Sequence, residues 1–221
     1  MGTAVLTISS KNYSSWSLRG WLLCKFAGLP FEERLLPATD ASARAELLHL
    51  SPSFLVPCLT HDGIEIWDVL AIAEYLAETF PEAMLLPAGR AERAHCRSVC
   101  AEMHGGFANL RSALPMNLKA AFTTFPLWPG AQADVDRILA IWAACFAKRP
   151  AGPAGPFLFG ERTIADAMYA PVTTRFRTYG VSLDAASAAY CEEIAALPEM
   201  REWTEAAHAE ADDVDELDAE F

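Results

Sequence analysis

The sequence predicts an α/β domain followed by an all-helical one, and three observations carry that expectation. Within the first 80 residues, short apolar strand patterns alternate with helical ones in the order β-α-β-α-β-β-α. Beyond residue 90 no segment carries a strand pattern, and apolar stripes at helical spacing take over. Between the two lies FPEAMLLPAGR (80–90), whose prolines and glycine mark a linker. The expected division is therefore 1–80, a linker over 81–90, and a helical bundle over 91–221 that ends in an acidic tail.

Each element has a local reason. Residues 4–8 (AVLTI) form an apolar run of strand length, and Ser15 to Ala27 a helix closed by Gly28 and Pro30. Residues 32–36 (EERLL) supply a second strand. Ala41 to Leu50 reads as a helix that stops at Ser51-Pro52, because the residue before proline leaves the helical region. Cys58-Leu59-Thr60 and Ile64-Glu65-Ile66 flank Asp62-Gly63, a strong hairpin signal. Asp68 caps a helix whose apolar face is Val69, Ile72, Ala73 and Leu76. This order, with a Val56-Pro57 step entering the third strand, is that of a thioredoxin-like domain. In the second part, Glu92–Lys119 reads as one long helix bent near Gly105-Gly106, with Pro115 at its frayed end. Ala131–Lys148 is another, residues 150–160 (PAGPAGPFLFG) form a loop, and Thr163 opens a helix to about Tyr179. Thr163 and Asp166 fit a capping box. Shorter helices follow near 187–197 and 199–211.

Composition narrows the function classes. An apolar content of 52% with 21% charged residues fits a globular chain that buries a core. No apolar run reaches the length of a membrane helix, and the first residues lack a secretory pattern, so a cytoplasmic protein is expected. A net charge of −12 disfavours nucleic acid and anionic membranes as partners. Glu210, Asp212, Asp213, Asp215, Glu216, Asp218 and Glu220 concentrate that charge in what reads as a solvated tail. The six cysteines are scattered without a C-x-x-C pair, as buried free thiols of a reducing compartment would be. Cys96, Cys100 and His104 share one helix stripe. A straight stripe of that length spans about 12 Å, too far for all three to reach one ion, so no metal is expected.

Four stretches carry a resemblance to the glutathione transferase superfamily that covers nearly the whole chain. They are Asn12-Tyr13-Ser14-Ser15-Trp16-Ser17-Leu18-Arg19, Val56-Pro57-Cys58-Leu59, Trp67-Asp68-Val69-Leu70-Ala71-Ile72 with Tyr75-Leu76, and Thr163-Ile164-Ala165-Asp166. Ala101-Glu102-Met103-His104 and Leu114-Pro115-Met116-Asn117 are similar to a bacterial, serine-type, zeta-related branch. The resemblance implies glutathione as co-substrate, a small electrophilic or hydrophobic molecule as acceptor, and a homodimer.

It also implies roles. Ser14 or Ser15 would donate a hydrogen bond to the bound thiolate at a helix N-terminus, with Ser14 ahead and Tyr13 as an outside candidate. Lowering a thiol pKa by about 2 units takes about 2.7 kcal/mol, within reach of one charge-assisted hydrogen bond plus the helix dipole. Read without the resemblance, either serine is simply the helix N-cap. Val56, held by a cis bond to Pro57, would pair its main chain with the cysteinyl backbone of the ligand. Asp68 and Val69 would hold the γ-glutamyl head, with Leu55 beside it. Trp16, Met103, His104, Phe107, Arg111 and Met116 would line the acceptor pocket, with Trp128 a further apolar wall.

The chain departs from the pattern at three of these places. Phe54 stands where glycine is usual, Leu55 where a polar or basic residue is, and Val69 where serine gives a hydroxyl. Losing a hydrogen bond to a charged group costs about 1.5–3 kcal/mol, so two losses weaken glutathione by roughly 10²- to 10⁴-fold unless Arg19 or a partner-subunit residue compensates. A different small thiol, or a hydrophobic ligand held without turnover, are the competing expectations.

Overall fold

The computed structural model describes residues 4–36, 56–123, 125–149 and 155–211. Its sheet has four strands, β1 (Ala4–Ile8), β2 (Glu32–Leu35), β3 (Cys58–His61) and β4 (Ile64–Trp67). They lie in the order β2-β1-β3-β4. β1 runs parallel to β2 and antiparallel to β3, with Leu6 opposite Leu59, and β3 pairs antiparallel with β4. Asp62 and Gly63 turn that hairpin with positive φ at both residues, as an Asp-Gly turn requires. The expected strand order holds; the expected helix Ala41–Leu50 falls outside the described residues.

Two helices dock on this sheet, and their N-termini are linked through Trp16, His104 and Asp68. α1 (Ser15–Phe26) is buried on nearly every side, because it is wedged between the sheet and the helical part. Trp21, Leu18 and Leu22 fill its contacts, and Trp203 from the last helix meets Trp21 edge-on at 5.3 Å. α2 (Val69–Thr79) is amphipathic and buries Val69, Ile72, Ala73 and Leu76, the predicted face. Gly20 on α1 has a packing reason: a Cβ there would lie 2.5 Å from the Pro57 ring. Pro57 can close onto α1 only because that Cβ is missing.

The helical part comprises α3 (Arg90–Gly105), α4 (Ala108–Ala113), α5 (Pro129–Ala147), α6 (Ile164–Thr178), α7 (Ala185–Ala196) and α8 (Pro198–Ala209). Its core is built on Trp142, which packs against Tyr169, Phe176 and Tyr190. Thr163 caps α6, and the Asp166 carboxylate accepts the Thr163 N–H at 2.8 Å, completing the predicted box.

One expected helix is corrected. Glu92–Lys119 does not run as a bent helix; it stops at Gly105, restarts at Ala108 and ends at Ala113. Gly106 is extended, and a Cβ there would sit 2.7 Å from the Glu102 carbonyl, while Phe107 takes a left-handed φ of 63°. Pro115 then lacks the N–H that a further turn would need. Residues 114–123 and 125–128 lie outside regular helix and strand, and Asn117 of the first stretch meets Asn12.

Candidate functional site

The first part of the site is the N-terminus of α1. Ser14 is the N-cap: its Oγ accepts the Ser17 N–H at 3.2 Å and donates to Ser17 Oγ at 2.9 Å. Ser17 Oγ in turn accepts the Ser9 N–H at 3.0 Å. Ser15 is buried, and its Oγ accepts from Arg175 Nη2 at 3.3 Å. The two serines therefore differ in setting: Ser14 is half-buried within a hydroxyl chain, and Ser15 is pinned by a cation.

That cation is one of three. Arg19 is fully buried; it donates to Met168 O, to Ser15 O and to the Met103 sulfur. Arg111 donates to Met103 O and Gly106 O. Arg175 donates to Leu114 O at 2.7 Å, and its Nη1 is buried without a partner. Among the described residues, every acceptor of these three guanidiniums is neutral. The Trp16 ring lies 4.7 Å from the Arg19 guanidinium and 4.5 Å from that of Arg111, the stacking geometry that delocalised cations favour. Burial, with added repulsion from Arg111, pulls Arg175 down to about 10, and burial pulls Arg19 below its usual range. A largely buried cationic cluster that meets no acid among the described residues raises the local potential and favours an anion nearby.

The loop before α1 is tied down from the helical part. Asn12, fully buried, donates to Asn117 Oδ1 at 3.1 Å and accepts the N–H groups of Leu118 and Lys119. The Glu210 carboxylate accepts from Ser10 Oγ at 2.8 Å and from the N–H groups of Lys11 and Asn12. Lys119 Nζ donates to the Glu210 carbonyl, and Trp203 Nε1 to the Lys11 carbonyl. Glu210 thus departs from the expectation of a solvated tail, because its carboxylate accepts two main-chain N–H groups and the Ser10 hydroxyl.

The second part of the site is the N-terminus of α2. Val56-Pro57 is cis, as the resemblance implies. Asp68 holds φ 71° and ψ 131°, a conformation that non-glycine residues rarely adopt. Its Oδ1 accepts the Leu70 N–H at 2.8 Å, and its Oδ2 meets His104 Nε2 at 2.7 Å. This contact crosses from the sheet part to α3, and both side chains stay about a third exposed, at 39% and 32%. The His104 ring also packs against Trp16 at 5.2 Å. Trp16 therefore joins the two helix N-termini, with two arginines and a histidine around one indole.

Of the residues singled out from sequence, Ser14, Ser15, Trp16, Asp68, Val69, His104, Met103 and Arg111 come together here. The Val69 side chain is buried in the core, and Met103 offers its sulfur to Arg19. Phe107 and Met116 are buried, and Trp128 is 45% exposed at the start of α5. Phe54 and Leu55 lie outside the described residues. Sequence reasoning missed Arg175, Asn12 and Glu210. The one available signal was Arg175, a charge on the otherwise apolar face of α6. Cys96 and Cys100 are buried, and burial raises the Cys100 thiol well above its usual range. Among the described residues, no group of three or more His, Cys, Asp or Glu is placed to hold a metal ion, and no helix is long and apolar enough to cross a membrane.

Residues 13–79 match the family model of the glutathione S-transferase N-terminal domain, and residues 91–206 that of the glutathione S-transferase C-terminal domain. A probable maleylacetoacetate isomerase of Caenorhabditis elegans is 32% identical over 104 residues, which are 47% of this chain and 48% of that protein. The chain thus spans about half the length of this curated relative. Among solved structures, a glutathione transferase homolog from Burkholderia GL BGR1 with bound glutathione superposes with a TM-score of 0.69 at 24% identity. The match covers 94% of this chain and 99% of that one. A maleylacetoacetate isomerase from Anaeromyxobacter dehalogenans 2CP-1 gives 0.67 at 23% identity, over 97% and 96% of the two chains. These structural likenesses establish the fold.

Proposed function

The chain belongs to the glutathione S-transferase family, and from that premise we propose that it is a glutathione-dependent enzyme that directs the thiol at a small electrophile. The observation that carries this reading is the N-terminus of α1, where a capping serine, the first N–H groups of the helix and three arginines that pair with no acid among the described residues all favour negative charge. Glutathione would bind with its sulfur beside Ser14 and its cysteinyl backbone along Val56. Ser14 acts as hydrogen-bond donor to the thiolate, not as nucleophile. Its proton turns from Ser17 toward the sulfur, and Ser17, which already accepts from Ser9, donates to Ser14 in exchange. Ser15 is held by Arg175 and is assigned a supporting part.

Catalysis then comes from a stabilised thiolate and from proximity in the cleft roofed by Trp16. The thiolate attacks the electrophilic carbon, the S–C bond forms, and the electron pair leaves with the departing group or on the neighbouring atom. The arginine cluster favours an acceptor that carries a carboxylate, which is in keeping with the relative named as a probable maleylacetoacetate isomerase. For such an acceptor, addition and later elimination of the thiol would amount to isomerisation with no net conjugation. A homodimer in the cytoplasm completes the reading; the exposed Leu35, Ile64 and Trp67 on the edge strands offer apolar surface for a second copy.

Titration of the protein with glutathione by calorimetry tests the ligand, with a micromolar to low-millimolar constant expected. Conjugation of glutathione to an aryl halide, and isomerisation of a cis-unsaturated keto acid, test the chemistry. Full activity in Ser14→Ala overturns the assigned donor. Binding of cysteine or another small thiol without glutathione points to a different co-substrate, and an apolar ligand bound with no thiol turnover to a binding protein.

A further inference from the structure

Val69 removes the side-chain hydroxyl at the N-terminus of α2, yet the cleft there is not bare. Asp68 Oδ2 and His104 Nε2 stand 2.7 Å apart at its rim, about a third exposed, with one residue from each structural part. Oδ1 of Asp68 is occupied by the Leu70 N–H, so the pair is made by Oδ2 alone. Facing a carboxylate, the imidazole donates and the carboxylate accepts. An acceptor and a donor side by side are complementary to an α-amino acid head group, in which one carbon bears both an ammonium and a carboxylate. Val69 is the first residue of α2, and its main-chain N–H has no partner within the helix. The helix dipole adds to that N–H in favour of a negative group.

We propose that His104, with the Val69 main-chain N–H, is the receptor for the γ-glutamyl α-carboxylate of glutathione, while Asp68 takes its ammonium. The inference rests on the glutathione reading above and assigns His104 to the co-substrate, not to the acceptor. On binding, the internal pair opens: Asp68 Oδ2 exchanges the imidazole for the ligand ammonium, and His104 Nε2 exchanges Asp68 for the ligand carboxylate. Each group trades one charge-assisted hydrogen bond for another, so the exchange leaves neither unpaired. The Trp16 ring at 5.2 Å holds the imidazole at the cleft rim throughout. A histidine from the helical part thus replaces the hydroxyl that the sheet part lacks, and the two parts grip the same end of one ligand.

Two ligands separate this from a merely structural contact: glutathione and γ-aminobutyryl-cysteinyl-glycine, which lacks only the α-carboxylate. The wild-type protein should bind glutathione at least roughly 10-fold more tightly than the analogue, the least that one hydrogen bond to a charged group supplies. His104→Ala should lose that preference, weakening glutathione by a similar factor and the analogue by less than about 2-fold. His104→Gln, which keeps a donor at the same reach, should retain most of it. Far-ultraviolet circular dichroism and the melting temperature establish that the variants are folded. Equal weakening of both ligands by His104→Ala, or weakening of neither, overturns the proposal while the glutathione reading stands. Failure of the wild-type protein to bind either ligand overturns that reading and this proposal with it.

Discussion

Asp68 and Asp166 are the same residue at two helix N-termini, and their surroundings divide structural from functional use. Asp166 is fully buried and accepts from Thr163 N, Thr163 Oγ1, Leu158 N and Tyr190 Oη, all within the helical part. Every lone pair has a local donor, and nothing is left over for a ligand. Asp68 stays 39% exposed, spends one oxygen on its own helix and turns the other to a histidine from the opposite side of the cleft. Asp166 spends its acceptors within one part of the molecule, whereas the Asp68–His104 bond joins two parts and stays open to solvent. A carboxylate at a helix N-terminus does not by itself distinguish the two; the origin and exposure of its further partners do.

The largest expected effect is at Asp166. Replacement by Ala leaves several buried donors unpaired, at about 1–3 kcal/mol each, and urea unfolding should register a loss of about 3–5 kcal/mol. Ser14→Ala should lower kcat/KM for thiol conjugation roughly 10- to 100-fold, the worth of one hydrogen bond to a thiolate, but cost only about 1 kcal/mol as a lost cap. Asp68→Asn sharpens the contrast directly. Asn caps a helix as well as Asp, so the melting temperature should stay within about 2 °C, while glutathione weakens roughly 10-fold and a glutaryl analogue without the ammonium does not. A stability loss at Asp68→Asn as large as that at Asp166→Ala would break the comparison.

Asp166 also carries a pH signature of its own. Burial lifts the Asp166 carboxyl to about 6 against the hydrogen bonds that pull it down. An unfolded aspartate titrates near 3.9, so the folded state binds the extra proton between about pH 4 and 6. The stability from this group is full below the unfolded value and is lost as pH rises through about 6. Relative to Asp166→Asn, which does not titrate, wild-type stability in urea should fall across that window. The smallest effect is expected at Glu210→Gln. It weakens the acceptor for Ser10, Lys11 and Asn12, and should raise KM for glutathione by about 3-fold with little change in melting temperature.

Much of the fold was legible because its signals are local. The Asp62-Gly63 turn, the Asp68 cap with its apolar face, and the Thr163–Asp166 box all act within four residues of themselves. Where local reasoning misplaced an element, at Glu92–Lys119, it took the Gly105-Gly106 pair for a bend, and the close approach of the Glu102 carbonyl made it a break. Ser14, Pro57 and Asp68 could be picked out as candidates because helix N-termini and proline steps announce themselves in the residue types. What surrounds them could not.

The sequence by itself determined the order of strands and helices, the caps that start them and the departure at Val69, since each follows from backbone geometry and apolar spacing over a few residues. Only the tertiary structure decided that His104 reaches Asp68 across 36 positions, that Arg19 and Arg111 meet over one indole while Arg175 reaches Ser15, and that Glu210 closes on Asn12 across 198. Such meetings depend on how whole helices pack, and their hydrogen bonds have no counterpart in any local stretch of chain.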